Sequence, residues 1–306
     1  MKIVFMGTPG FAAASLERLY DDGHEIAAVF TQPDKARDRG LKTSRSPVKR
    51  LADAYGTTVY QPTTLKDEQI VELLRGMRCE LIAVVAYGKL LPREILSMPP
   101  LGCINIHGSL LPKYRGAAPV QWAVLNGESE TGVTSMVMDA AFDSGDILLS
   151  KKTLIGENET AEELYDRLSM IGAELLSETV DALAMGKVER IPQNSADATY
   201  APPLDKTMSP IDWSATAASI KCKVRGLTPW PIATTVLSGT VCKVFSVDVL
   251  DTPDATAGKK PGDIVSADKN GIAVACADGA VLIKELQAPG GKRMSSSDYL
   301  RGHPLC

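Results

Sequence analysis

Residues 81–87 read LIAVVAY, apolar up to the closing tyrosine and β-branched in the middle. A run of this length is too short for a buried helix, and a strand without alternation has to be covered on both faces. Such strands lie in the middle of parallel sheets, because the crossover helices that make strands parallel also cover the sheet. The start of the chain specifies the same architecture. Lys2 to Gly7 is an apolar β run, Phe11, Ser15, Leu16 and Leu19 share one helical face, Asp21-Asp22-Gly23 ends that helix, and Ile26 to Thr31 is the next strand. A β-α-β opening predicts parallel pairing with right-handed crossovers. The turn Gly7-Thr8-Pro9-Gly10 lacks the G-x-G-x-x-G spacing, and Pro9 has no N–H to give. It reads as a tight turn rather than a dinucleotide site, with a secondary role beside a substrate left to the helix N-terminus.

The pattern continues as a short helix from Val48 to Tyr55, a strand from Thr58 to Tyr60, a helix from Lys66 to Arg75, and strands at Gly102–Gly108, Val133–Met138 and Ile147–Leu154. A long amphipathic helix spans Thr160 to Met185, opened by a Thr160-x-x-Glu163 capping box and stopped by Gly186. Residues 190–205 are proline-bearing and aperiodic, and read as a linker. Beyond them, β-type runs at Ala233–Val236, Cys242–Val249, Gly271–Cys276 and Val281–Leu286 alternate with Gly, Asp and Asn turns, the mark of a small antiparallel barrel. The expectation is therefore an α/β protein with a Rossmann-like, mostly parallel sheet and helices on both faces over residues 1–189, a linker at 190–205, and a barrel domain over 206–306. A length of 306 residues suits about two domains.

Several classes of function are set aside by composition. No apolar run approaches the ~18 residues of a membrane span, and MKIVFMGTPG reads as strand and turn rather than a signal peptide. The six cysteines show no C-x-x-C spacing and there are only three histidines, so reduced thiols in a cytoplasmic protein without a metal site are expected. The net charge of −4 does not suggest nucleic-acid binding over the whole surface. It is unevenly spread, however. From residue 206 on, 12 Lys/Arg outnumber 9 Asp/Glu, and residues 35–50 hold seven basic residues against the single acid Asp38. That stretch is either a solvated loop or a phosphate clamp; Gly40, Ser44, Ser46 and Pro47 predict no regular structure before the helix.

Chemistry concentrates in CINIHGSLLPKYRGAAPVQW, residues 103–122. Asn105 and His107 are two apart on a strand, so they share a face. They are either buried polar groups satisfied by backbone, or an amide donor beside an imidazole that stabilise a developing oxyanion. Leu110, Leu111 and Pro112 are core filler or the apolar wall of a pocket. Arg115 meets a substrate phosphate or caps a surface. The small residues Gly116-Ala117-Ala118, ahead of Pro119, allow close approach at the start of a helix running to Asn126. Asp139, Asp143 and Asp146 form a solvated turn, or orient a histidine. Trp213 and Trp230 read as core residues rather than base-stacking platforms.

NIHGSLLPKYRGAAPVQW followed by MDAAFDSGDIL resembles the signature of the folate-dependent formyltransferases, and in particular of the branch that acts on charged initiator tRNA. GTPGFA, FTQPDK, SPVK, VYQP, AYGKLLP, IDW and TPWP extend the resemblance over nearly the whole chain. It implies formyl transfer from 10-formyltetrahydrofolate, as cosubstrate and without a metal, to the α-amine of initiator methionyl-tRNA, by a monomer with an OB-like second domain. It implies catalysis by Asn105, His107 and Asp143, with Asp143 as orienter or general base. Folate is expected at Ser109, Leu110, Leu111 and Pro112 and along Ala86, Tyr87, Gly88 and Leu90, and tRNA at Arg39, with Lys35, Arg37, Lys42 and Arg45 around it. Asp38 stands where the family usually has Gly, and Ala141 and Phe142 where it has Gly and Leu.

Overall fold

The computed structural model describes residues 1–37, 42–250 and 258–305. Strand β1 (Lys2–Gly7), helix α1 (Gly10–Asp21) and strand β2 (Glu25–Phe30) form the expected opening, with β1 and β2 parallel. The buried face of α1 is Phe11, Ala12, Ser15, Leu16 and Leu19, as its apolar spacing requires. Two three-residue strands, β3 (Lys35–Arg37) and β4 (Lys42–Ser44), then pair antiparallel. This corrects the expectation of no regular structure: strands this short leave no alternation that a periodicity can register. Helix α2 (Pro47–Ala54) has Ser46 as its N-cap, the Ser46 hydroxyl accepting from the Lys49 N–H at 3.0 Å. After it come β5 (Val59–Tyr60), α3 (Glu68–Met77), β6 (Leu81–Val85), α4 (Arg93–Leu96), β7 (Cys103–His107), β8 (Arg115–Gly116), α5 (Pro119–Leu125), β9 (Glu130–Val137), β10 (Ile147–Leu154), α6 (Ala161–Ala184) and β11 (Tyr200–Ala201).

The main sheet has seven strands in the order β10-β9-β7-β6-β1-β2-β5. The pairs β2–β5, β1–β2, β1–β6 and β6–β7 are parallel, and β7–β9 is antiparallel. Strand β6, the LIAVV run, is central and buried throughout. Its residues Ile82 and Val84 share a core with Val4, Met6, Phe30, Leu74 and Ile95, each large apolar side chain contributing about 1.5–3 kcal/mol by burial. The chain moves out from β1 through β2 to β5, then resumes on the other side of β1 with β6 and β7. The order thus reverses between β1 and β6, and ligands in such sheets bind beyond the carboxyl ends at the reversal. Residues 86–90 and 107–116 follow those ends. The predicted capping box is present in α6: Glu163 accepts from the Thr160 N–H at 2.8 Å, and Thr160 Oγ1 accepts from the Glu163 N–H at 3.3 Å.

Two compact units divide the chain, and the division is not contiguous in sequence. The first comprises 1–119, 130–153 and 165–201; the second comprises 120–129, 154–164 and 202 onward. Most of the stretch read as a linker therefore belongs to the first unit. There β11 pairs in parallel with β8, and the Ala117 N–H donates to Ala201 O at 2.9 Å. A two-residue strand leaves no trace in a local reading of sequence, which is why this docking was invisible.

In the second unit, β12 (Ala233–Leu237), β13 (Thr240–Leu250), β14 (Ile264–Asp268), β15 (Gly271–Cys276), β16 (Gly279–Gln287) and β17 (Met294–Ser295) form an antiparallel, barrel-like sheet with helices α7 (Ala217–Gly226) and α8 (Ser296–Gly302). Strand order is β12-β13-β16-β15-β14. The core includes Ile220, Val224, Val244, Ile272, Val281 and Leu286, with Leu125 of α5 packed against it. Trp213 packs on this core and its indole N–H donates to Thr235 Oγ1 at 3.1 Å. Trp230 is 50% exposed. The core reading therefore holds for Trp213 and is corrected for Trp230, which stands in the turn between Pro229 and Pro231.

Candidate active site

Strand β7 delivers Asn105 and His107 to one face, as their spacing requires. Asn105 is partly exposed, and its side-chain amide has no protein hydrogen-bond partner among the described residues. His107 is 6% exposed, and its Nε2 lies 2.9 Å from the backbone carbonyl of Tyr114. A carbonyl only accepts, so Nε2 carries the hydrogen. Nδ1 is therefore the nitrogen not engaged by the main chain. Tyr114 presents its carbonyl from a left-handed backbone, φ 59°. Nδ1 stands 3.7 Å from Asp143 Oδ1. That distance is close enough for a strong charge interaction and too long for a hydrogen bond, so Nδ1 remains available to a third group.

Asp143 itself is held from several sides. Its Oδ2 accepts the Gly116 N–H at 2.9 Å. Its φ is 52°, in the left-handed region, an arrangement that persists only where neighbours enforce it. Asp139 anchors the start of the loop, accepting from the Ala141 N–H at 3.0 Å and from the Ser144 hydroxyl at 2.9 Å. Gln193 anchors its end, its Nε2 donating to Asp143 O at 3.0 Å and to Gly145 O at 2.7 Å. A Cβ at Gly145 would lie 1.8 Å from Val137 O, so only glycine fits the close passage there. Ala141 and Phe142 form the exposed tip, and Ala141 is not among the residues with positive φ. Replacing the family's usual glycine there imposes no backbone strain.

Segment 109–112 follows His107 and is tied down by buried bonds. Ser109 Oγ donates to Lys113 O at 2.6 Å, Thr134 Oγ1 donates to Ser109 O at 2.7 Å, and the Leu111 N–H donates to Thr134 Oγ1 at 3.1 Å. Leu111 is buried, whereas Leu110 and Pro112 are half-buried. On the β6 side, Ala86 and Gly88 have φ of 44° and 79° and both are exposed. The Tyr87 side chain between them turns into the core, its hydroxyl buried without a partner among the described residues and its pKa pushed up to about 12 by burial. With at most a methyl group on either exposed residue, the surface at 86–88 is largely backbone. Leu90 is 48% exposed.

The basic stretch is described in part. Arg39 lies outside the described residues. Lys35, Arg37 and Lys42 are placed by backbone only, with Arg37 opposite Lys42 in the β3–β4 pair. Arg45 is exposed and pairs with Asp53 at 3.2 Å. The root of the loop is well defined. Lys49 Nζ donates to Asp34 Oδ2 at 2.9 Å and to Gln61 Oε1 at 2.5 Å, while Gln61 Nε2 donates to Asp34 Oδ1 at 2.7 Å. These bonds hold the Asp34 carboxyl below its ordinary range, through Lys49 first and Gln61 second. Gln32 joins this root to the end of β6, donating to Tyr87 O at 2.9 Å.

Sequence reasoning missed Gln193 and left Arg115 undecided. Arg115 is 6% exposed, and its Nε and Nη2 donate to Gln193 Oε1 at 3.1 and 2.7 Å. No local pattern marks residues 78 positions apart as partners.

Comparison with known proteins places these features. A family model described as formyl transferase matches residues 1–180, and a formyl transferase C-terminal domain model matches 203–304. A methionyl-tRNA formyltransferase of Acetivibrio thermocellus is 48% identical over 305 residues, covering 100% of this chain and 97% of the relative. One from Citrifermentans bemidjiense is 46% identical, covering 100% of this chain and 94% of its own length. Among solved structures, HypX from Aquifex aeolicus in complex with tetrahydrofolic acid superposes with a TM-score of 0.66 at 17% identity, over 98% of this chain and 47% of that longer one. WlaRD, a sugar 3N-formyl transferase, superposes at 0.67 and 18%, over 94% and 97%. At these identities the two structures speak for the fold.

Proposed function

The chain belongs to the formyl transferase family, and from that premise we propose that it transfers the formyl group of 10-formyltetrahydrofolate to the α-amino group of initiator methionyl-tRNA. The folate cosubstrate supplies a formyl carbon that an amine can attack; as the new C–N bond forms, the bond from that carbon to the cosubstrate's N10 breaks, and the amine's proton ends on the departing nitrogen. The rest is work for side chains of this chain. Attack by a neutral amine develops negative charge on the formyl oxygen and positive charge on nitrogen. Asn105, with an uncommitted amide on the β7 face, donates to that oxygen. His107, its Nε2 occupied by Tyr114 O, offers Nδ1 for a second donation or for the amine's proton. Asp143 stabilises positive charge as it arises on the ring. With Oδ2 bound to the Gly116 N–H, its remaining free oxygen is the one directed at Nδ1, which favours orientation over independent base catalysis.

The reading rests on one observation above the others: the unbonded Asn105 amide and the 3.7 Å His107–Asp143 approach lie at the carboxyl end of β7. The largely backbone surface at 86–88 beyond β6 and the tied-down 109–112 segment are the parts we assign to the folate. The basic stretch, including Lys35, Arg37, Arg39, Lys42 and Arg45, we assign to tRNA phosphates. A small acceptor such as an amino sugar nucleotide needs neither that stretch nor a second barrel-like unit. We further take the enzyme to act as a monomer in the cytoplasm, where charged initiator tRNA is found.

Asn105→Ala, His107→Ala and Asp143→Ala are each expected to lower kcat by orders of magnitude, about 2.7–4 kcal/mol of barrier for one lost donor, with an unchanged melting temperature. Full activity in any one of them would remove that residue from the mechanism. Formylation of charged initiator tRNA, measured against glycinamide ribonucleotide and amino sugar nucleotides, tests the acceptor.

A further inference from the structure

We infer that Gln193, locked by Arg115, is the positioning residue that sets the place of Asp143 for catalysis. The inference rests on the role proposed above for Asp143. A guanidinium has donors and no acceptor, so its two bonds to Gln193 fix which end of the amide faces it. The oxygen turns to Arg115 and the NH2 group must turn away. It then meets the carbonyls of Asp143 and Gly145, which it bridges at 3.0 and 2.7 Å. Those carbonyls flank the turn that carries the Asp143 carboxylate at φ 52°. The carboxylate is thus aimed at His107 by a side chain 50 positions further along the chain.

The choice of residue at 193 argues for this role over simple fold stability. Arg115 is buried, with no carboxylate within ion-pair distance among the described residues. A buried cation facing only a neutral amide is poorly compensated. Glutamate at 193 would neutralise it at the same length, but would place carboxylate oxygen, in place of two N–H donors, against two carbonyls. Glutamine gives up charge compensation and keeps the donors, and those donors serve only the Asp143 loop.

Gln193→Glu separates the two roles. Its melting temperature is expected to hold or rise through the new pair with Arg115. Its kcat per folded enzyme should fall roughly 100-fold, the scale of an ~1 Å misplacement of a reacting group, while KM for 10-formyltetrahydrofolate and for charged tRNA stays within about twofold. Gln193→Met, which has similar shape and no polar atoms, should show the same drop in kcat. If either variant keeps kcat within twofold of the parent while Asp143→Ala is inactive, the inference is wrong. The same holds if the loss is matched by a loss of folded enzyme. If Asp143→Ala is itself fully active, it is the proposed function of Asp143 that fails, and the positioning role goes with it.

Discussion

Two segments of the first unit, the loop 139–146 and the root of the basic loop at 31–49, are held by different kinds of bond. The loop carrying Asp143 is fixed by part-buried, mostly neutral bonds involving main chain: Gly116 N–H on the carboxylate, Gln193 on two carbonyls, and a passage at Gly145 too narrow for a side chain. The root of the basic loop is fixed by a charge pair, Lys49 with Asp34, each about a fifth exposed, with Gln61 completing it. Bonds to main chain define position closely and are indifferent to salt. A charge pair within reach of solvent fastens the base of a loop while leaving its far side chains to be arranged by whatever they bind. The role proposed for Asp143 needs the first kind of support, and the phosphate contact proposed for the basic stretch needs only the second.

The contrast can be broken most sharply at Gly145. Gly145→Ala is expected to destabilise the protein by about 3 kcal/mol or more, because its Cβ meets a backbone carbonyl that cannot step aside. Urea denaturation measures this, and an unchanged midpoint would mean that the Asp143 loop is looser than described. Salt sharpens the other side. Raising ionic strength from about 50 to 200 mM should weaken tRNA binding on the order of 100-fold if about five phosphate contacts are made, and leave the folate dissociation constant unmoved. An equal loss for both ligands would contradict the division of labour. The smallest effect is at Asp34. Its carboxyl titrates below its ordinary range in the folded protein, so it adds stability above an unfolded value of about 3.9, and that stability is lost as pH falls through the folded value. Asp34→Asn should lack this acid-side loss, a difference below about 1 kcal/mol for a pair this exposed. Stability curves for the two proteins that run parallel from pH 6 to 3.5 would rule it out.

What could be read in the sequence follows the same line. LIAVVAY announced a central strand because burial on both faces leaves an unbroken apolar run, and Asn105-x-His107 announced a shared face because strand geometry has a period of two. Thr160 ahead of Glu163 marked a helix start through a local bond, whereas Ser46, read only as a sign of irregular chain, proved to be the cap of α2. Gln193 was unreadable because its meaning comes from Arg115 and Asp143, far away in sequence and close only after folding. The grouping of 120–129 and 154–164 with the C-terminal unit was hidden for the same reason: α5 follows directly on segment 103–116, and only tertiary packing shows Leu125 packed with the C-terminal core.

The imidazole of His107 leans on an oxygen that belongs to the peptide unit of Tyr114, not to any side chain. Substitution at position 114 can alter bulk and burial there, but it cannot delete this acceptor, so that edge of the ring is shielded from mutation. Evolution, or an engineer wishing to retune this histidine, is left with the opposite edge, where Asp143 stands 3.7 Å away with Gln193 behind it.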